Sequence, residues 1–251
     1  MSANRPFVLT IAGLDPSGGA GILADIKTFE QHRVYGLTIN TGNTIQTENT
    51  FYEIQWTDLD FVLRSIETLF ENYTIEAVKI GIVPSLDYLK SIVFTIKRLS
   101  PESKIIWDTV LKSTTEFDFL TIENKSILIE ILQNIDLITP NFEEILLLEP
   151  SQSDAEIAAE LLSEYCPVLL KGGHNIQDTG VDYLYMDDEI YAFEPKNKAV
   201  PEKHGSGCVL SSAITAQIAL GENTINACAK SKKYTESYLQ SCLTKLGIHY
   251  V

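Results

Sequence analysis

The sequence is short of positive charge. Its 251 residues hold 19 Lys and Arg against 34 Asp and Glu, a formal net charge of −15. A surplus of that sign repels phosphate backbones and anionic lipid, which argues against nucleic-acid and membrane partners. Small anionic substrates stay open, because screening confines such fields to about 8–10 Å and a local pocket of N–H groups and lysines can hold a phosphate whatever the net charge. Cysteine is scarce. Cys166, Cys208, Cys228 and Cys242 form no Cys-x-x-Cys pair, so neither a zinc nor a dithiol site is read from them, and the chain is expected to be reduced and cytoplasmic. No run approaches the ~18–20 apolar residues that span a bilayer, and Phe7 to Leu14, flanked by the single Arg5, is too short for a signal peptide. Repeats and Pro/Ser-rich linkers are missing too, so residues 1–251 are read as one domain. His32, His174, His204 and His249 lack metal-ligand spacing and are read as solvated or loop residues.

What is present is an alternation of short β-rich runs with longer amphipathic stretches, the mark of βα units around a mostly parallel sheet. The strands are predicted at Phe7–Ala12, Gly36–Thr41, Ala77–Gly81, Lys104–Asp108, Asp136–Thr139 and Pro167–Lys171. Helices are predicted at Ala20–Gln31, Leu59–Glu71, Leu86–Leu99, Glu123–Ile135, Phe142–Leu148 and Asp154–Glu164. A hairpin over Val181–Met186 and Ile190–Glu194 follows, then two helices near Cys208–Leu220 and Thr224–Leu243. In open α/β sheets ligands bind beyond the carboxyl ends of the strands, so the residues that follow each strand carry the functional reading.

Two glycine-rich turns stand out. Ala12-Gly13-Leu14-Asp15-Pro16-Ser17-Gly18-Gly19-Ala20-Gly21 leaves a buried strand and opens a helix, where unpaired N–H groups and a bare backbone suit a close ligand. It is no Walker loop, since no Gly-Lys-Ser/Thr follows; Gly19 to Ala24 fits a loose dinucleotide fingerprint, but the acid expected about 20 residues on is missing. The second turn, His204-Gly205-Ser206-Gly207-Cys208, feeds a helix of small residues and has the makings of an anion hole. Cys208, in the first helical turn, is either a small buried hydrophobe or a base whose pKa the helix dipole brings below about 8.5. Asp108, Asn141 with Glu144, and Lys171 each follow a strand. They read either as a strand-end cap, a capping box and a rim charge, or together as a phosphoryl-transfer edge with Mg²⁺ on the carboxylates.

This ordered set resembles the hydroxymethylpyrimidine/phosphomethylpyrimidine kinases of the ribokinase-like superfamily, from Val8 to about Leu239. The most specific stretches are Thr10 to Phe29 and His204 to Cys208. The resemblance implies an α/β, three-layer ribokinase-like sandwich, a mostly parallel central sheet with helices on both faces. It implies an ATP-dependent kinase that phosphorylates the hydroxymethyl group of 4-amino-5-hydroxymethyl-2-methylpyrimidine and its monophosphate in thiamine synthesis, as a homodimer. Carried over by position, the pyrimidine site is Gly13, Ala20, Asp25, Gln46, Ile82 and Val110. Catalysis falls to Cys208 with the backbone of Gly205 and Gly207. Asp108 and Glu144 stand near Mg²⁺, and Asn141, Lys171 and Lys232 near the nucleotide phosphates. Leu14, Ile80, Ile82 and Thr109 depart from the family pattern around the ring pocket. Leu14 and Ile82 keep a pyridoxal-type substrate as an alternative, and a pyrimidine sensor without catalysis is a separate one.

Overall fold

The computed structural model describes residues 5–113, 117–175, 178–197 and 200–250. In chain order the elements are β1 (Phe7–Leu14), α1 (Gly21–Gln31), β2 (Tyr35–Gln46), β3 (Phe51–Trp56), α2 (Leu59–Asn72), β4 (Ile75–Ile80), α3 (Leu86–Leu99) and β5 (Lys104–Trp107). Then come α4 (Lys125–Leu132), β6 (Leu137–Ile138), α5 (Phe142–Leu148), α6 (Ala155–Ser163), β7 (Val168–Leu170), β8 (Asp182–Met186), β9 (Glu189–Phe193), α7 (Ser206–Ala219) and α8 (Thr224–Gln240). The strands form one nine-stranded sheet in the order β3-β2-β1-β4-β5-β6-β7-β8-β9. Its centre is parallel, and β3, β8 and β9 are the antiparallel additions.

Side chains that alternate along the strands divide the core into two layers, as expected of a sheet covered on both faces. Leu9, Ile11, Val78, Ile105, Trp107, Ile138, Val168 and Leu170 pack with α2 to α6. Val8, Ala77, Ile106, Leu137 and Leu169 point the other way and pack with α1, α7 and α8. From β1 the chain steps to β2 on one side and later returns to β4 on the other, which makes a topological switch beside β1.

The predicted order of elements stands, with shifts at the ends. Asp136–Thr139 contracts to two residues, and Glu123–Ile135 to a helix capped by the Asn124 side chain on Ser126 and Ile127 N–H. Asp187 and Asp188, with φ of 56° and 60°, close the predicted β8–β9 hairpin in a two-residue turn of the left-handed kind. The missed strand among the described residues is β3, and a short 3-10 turn at Gly172–His174 was not predicted either. β3 pairs antiparallel with the far end of β2, which runs five residues beyond the predicted Thr41 to Gln46. Phe51 and Trp56 of β3 pack on Phe119, and Phe51 also on Phe117, so the segment after β5 is fastened to this hairpin across the ends of β1 and β4. No helix among the described residues is long and apolar enough to cross a membrane.

Candidate active site

On the α1/α7 side, the inward rows of the sheet turn polar at the carboxyl ends of the strands. Two residues beyond Val8, Ala77, Ile106, Leu137 and Leu169 stand Thr10, Lys79, Asp108, Thr139 and Lys171, all placed on that face by period-two alternation. The first four are wholly buried. Sequence position alone therefore aligns a line of polar groups under α1 and α7.

Lys79 is the hub. Its Nζ lies 3.0 Å from both oxygens of Asp25 on α1 and 3.7 Å from Asp108 Oδ2. Thr10 and Ser212 hydroxyls each donate to Asp25 at 2.6 Å, so that carboxylate takes four hydrogen bonds from three groups. Burial opposes the charge on Lys79, but Asp25, Cys208 and Asp108 hold the ammonium above its ordinary pKa. Burial lifts the Asp25 carboxyl above its own ordinary value in spite of Lys79, Ser212 and Thr10.

Lys171 bridges to the second carboxylate pair. Its Nζ is 3.3 Å from Asp108 Oδ1 and 3.7 Å from Glu144 Oε2. Burial would raise the Asp108 carboxyl, yet Lys171 and Lys79 together keep it below its ordinary range; burial wins at Glu144, which is raised. Thr139 donates to Asp108 Oδ1, while Asp108 Oδ2 is buried with no hydrogen-bond partner among the described residues. Asn141 and Glu144 form the capping box of α5: Asn141 Oδ1 takes the Glu143 and Glu144 N–H groups, and Glu144 Oε2 takes the Asn141 N–H. That bond aims Glu144 at Lys171.

The two glycine turns meet above this line. Gly205 caps α7 with φ 73°, and a Cβ there would lie 2.1 Å from the Gly19 carbonyl oxygen, so only glycine permits both the left-handed backbone and the contact. No side chain caps α7, and the Gly207 and Cys208 N–H groups have no partner among the described residues. A Cβ on Gly207 would lie 3.3 Å from Lys171 Nζ, which places that ammonium against the same turn. A pair of free N–H groups, a helix N-terminus and an ammonium thus converge on one point, the requirement for holding a phosphoryl group.

Cys208 is half-buried among these groups. Burial pushes its thiol up to about 12, with Lys79 and the Gly21 N–H pulling down and Asp108 and Asp25 pushing further up. The expected lowering by the helix dipole is therefore overturned: desolvation and two nearby carboxylates outweigh a helix end, and at neutral pH the group is a thiol.

Of the other predicted residues, Gly13 and Ile82 do come together; a Cβ on Gly13 would lie 2.4 Å from Ile82 Cδ1. Ala20 N–H donates to Asp15, and Val110 N–H to the Asp108 carbonyl. Gln46 sits three residues past the last β1–β2 pair, Leu14–Asn43, opposite Phe51, and its side-chain amide has no partner among the described residues. Two assignments need correction. Asp25 faces Lys79 and two hydroxyls and has no exposed surface, so it cannot pair with a ring. Lys232 spends its ammonium on the Gly180 carbonyl and on Asp182, which also takes the Gly172 N–H; it braces the turn after Lys171 and is not free for a phosphate.

His32, His204 and His249 lie outside the helices and strands, as expected of loop residues, but their side chains are largely withdrawn from solvent. His204 Nε2 lies 2.9 Å from Asp15 Oδ2 with a side chain 8% exposed; His32 takes a bond from Gln217 on Nδ1; His249 is buried beside Tyr234. The His174 side chain lies outside the described residues. Lys79, at the centre of these contacts, is not among the residues predicted from the sequence. A lysine at an inward position of a buried strand was the signal for it.

Together these features define a phosphotransferase of the ribokinase-like fold. The sequence pattern of the phosphomethylpyrimidine kinases matches residues 15–250, and the chain belongs to that family. A hydroxymethylpyrimidine/phosphomethylpyrimidine kinase of Aquifex aeolicus is 33% identical over 97% of this chain and 98% of its own. The crystal structure of a phosphomethylpyrimidine kinase from Clostridium difficile superposes with a TM-score of 0.77 at 32% identity, over 92% of this chain and 98% of that one. An ADP complex of Bacillus subtilis pyridoxal kinase gives a TM-score of 0.84 at 28% identity, over 97% and 96%.

Proposed function

We propose that this kinase transfers the γ-phosphoryl group of ATP to the hydroxymethyl group of 4-amino-5-hydroxymethyl-2-methylpyrimidine and then to its monophosphate, within thiamine synthesis. The observation that carries the reading is the α7 turn: free Gly207 and Cys208 N–H groups against Lys171, over two buried carboxylates. Phosphoryl transfer passes through a loose transition state that asks the protein mainly for in-line positioning and charge neutralisation. The α7 turn and Lys171 supply these on the equatorial oxygens. Cys208, a thiol, orients the substrate hydroxyl; its oxygen bonds to phosphorus as the bond between the γ-phosphorus and the β–γ bridging oxygen breaks and ADP departs, and its proton passes late to an oxygen of the transferred phosphoryl group and on to solvent. Gln46, Gly13, Ile82 and Val110 are proposed for the ring, and the Asn141 amide nitrogen with Lys171 for the nucleotide phosphates.

Asp108, whose Oδ2 has Lys79 at 3.7 Å and no hydrogen-bond partner among the described residues, fits a divalent cation or its water, with Glu144 reached through the shared Lys171. Among the described residues no cluster of three His, Cys, Asp or Glu could hold a metal alone, which suits Mg²⁺ arriving with nucleotide phosphates on one or two carboxylates. Bound there, Mg²⁺ would neutralise charge between the phosphates. Four free thiols and the need for Cys208 reduced support a cytoplasmic setting, and the family resemblance supports a homodimer.

Pyridoxal is the second reading, favoured by the higher TM-score of the pyridoxal kinase and by Ile82 against Gly13. ADP release with Mg-ATP on the aminopyrimidine and on pyridoxal decides between them. A kcat/KM at least tenfold higher on the aminopyrimidine is expected, and the reverse ratio would overturn the proposal.

A further inference from the structure

The hydrogen bond between His204 and Asp15 joins the two halves of the site. Asp15 lies in the turn after β1, next to the ring side of the site. Its Oδ1 accepts the Ser17 N–H, and its Oδ2 accepts the Ser17 hydroxyl, the Ala20 N–H and His204 Nε2, at 2.7 to 2.9 Å. These bonds hold the whole glycine turn to one carboxylate. Burial would raise Asp15, but the bonds from His204 and Ser17 keep it below its ordinary value; an ionised carboxylate only accepts, so His204 Nε2 carries the proton.

His204 is the residue before Gly205, at the mouth of the α7 turn. The C-terminal segment fixes its backbone: its N–H donates to the Lys245 carbonyl, and the Tyr238 hydroxyl donates to its carbonyl. Lys203 meanwhile caps the Cys242 and Thr244 carbonyls. A Cβ on Gly19 would lie 2.8 Å from both the His204 ring and Leu246, so ring, tail and glycine turn are in contact. The α1 turn and the α7 turn are covalently remote, with Asp15 and His204 189 residues apart, yet their hydrogen bond, the Gly21 N–H on Cys208 and the Gly19–Gly205 contact register them.

We propose that His204 and Asp15 are a positioning pair for phosphoryl transfer: their hydrogen bond sets the separation between the substrate turn after β1 and the N–H groups of Gly207 and Cys208. The inference rests on the function proposed above, since it assumes that the two turns hold acceptor and phosphoryl group. Neither side chain need touch substrate. Displacing one reacting partner by about 1 Å costs on the order of a hundredfold in rate, which is what loss of the bond should produce.

The test compares the full-length wild type with His204→Leu, His204→Gln, Asp15→Asn and the double variant His204→Leu/Asp15→Asn, with Mg-ATP and the hydroxymethyl aminopyrimidine. A glutamine amide can place a donor where Nε2 stands. The expected result is a kcat about a hundredfold lower in His204→Leu with both KM values within about threefold, recovery to within about tenfold of wild type in His204→Gln, and a double variant no worse than the lower single. A His204→Leu kcat within threefold of wild type, or a glutamine variant no better than leucine, overturns the pair. Should the wild type itself turn over neither ring, the proposed substrate fails, and the pair is read by amide hydrogen exchange of Ala20 and Val209, whose N–H groups bond Asp15 and the Gly205 carbonyl. Faster exchange in His204→Leu but not in His204→Gln supports it; unchanged exchange in both overturns it.

Discussion

Lys79→Met removes the one cation that the two innermost carboxylates share. Asp25 would keep only the Thr10 and Ser212 hydroxyls as donors, with no exposed surface to recruit water. Breaking a buried pair in this way costs about 3–5 kcal/mol. The cost has a ceiling, because Asp25 can take up a proton: from its ordinary value of 3.8, doing so at pH 7 costs about 4 kcal/mol. The sign follows from linkage. In the variant the folded chain holds Asp25 neutral while the unfolded chain ionises above 3.8, so stability is lost as pH rises, by about 1.4 kcal/mol per unit. Urea unfolding at pH 5 and pH 7, followed by fluorescence of the buried Trp107 beside Asp108, should show a deficit against wild type that is larger at pH 7 by about 3 kcal/mol. Adding Asp25→Asn should recover most of the loss at pH 7. A deficit under about 1 kcal/mol, equal at both pH values, would refute the buried pair as the organising interaction of the site.

Gly205→Ala forces a left-handed φ of 73° on alanine and drives a Cβ into the Gly19 carbonyl; a loss of about 2–3 kcal/mol in stability and at least about a hundredfold in kcat is expected from chemical denaturation and ADP-release assays. Cys208→Ala should lower kcat by about tenfold to a hundredfold with little change in pyrimidine KM, and the wild-type kcat/KM profile should show no thiol inflection near pH 8.5, since that group titrates near 12. Burial holds His32 and His249 near a pKa of about 4, against 6.5 unfolded, so the unfolded chain takes the protons first. Stability is therefore complete above pH 6.5 and falls towards pH 4; His32→Gln should flatten that slope in thermal unfolding across the range.

The layered fold was legible because strand alternation and helix amphipathicity are local. Val8-Leu9-Thr10-Ile11 already separates the two faces, and the hairpin turn at Asp187-Asp188 declares itself. β3 escaped because Phe51-Tyr52-Glu53-Ile54-Gln55-Trp56 is a half-exposed edge strand whose apolar residues find their partners, Phe117 and Phe119, over 60 residues away. That Asp108, Glu144, Lys171 and the α7 turn stand together was legible, because they follow strands or carry glycine. The pairing of Lys79 and Asp25, 54 residues apart, was not legible, since it exists only once α1 lies on β4. The direction of the Cys208 shift failed for the same reason: a helix end can be read from sequence, whereas desolvation comes from packing.

The central claim is phosphoryl transfer onto a hydroxymethyl ring by the groups around Asp108, and wild type and Asp108→Asn test it side by side. Each is incubated with Mg-ATP and 4-amino-5-hydroxymethyl-2-methylpyrimidine, and the products are identified by mass. The account predicts monophosphate and then diphosphate from the wild type, and from Asp108→Asn a rate lower by about a thousandfold or more although it still binds the pyrimidine. Equal product from both proteins, or no phosphorylated pyrimidine from the wild type, would contradict it.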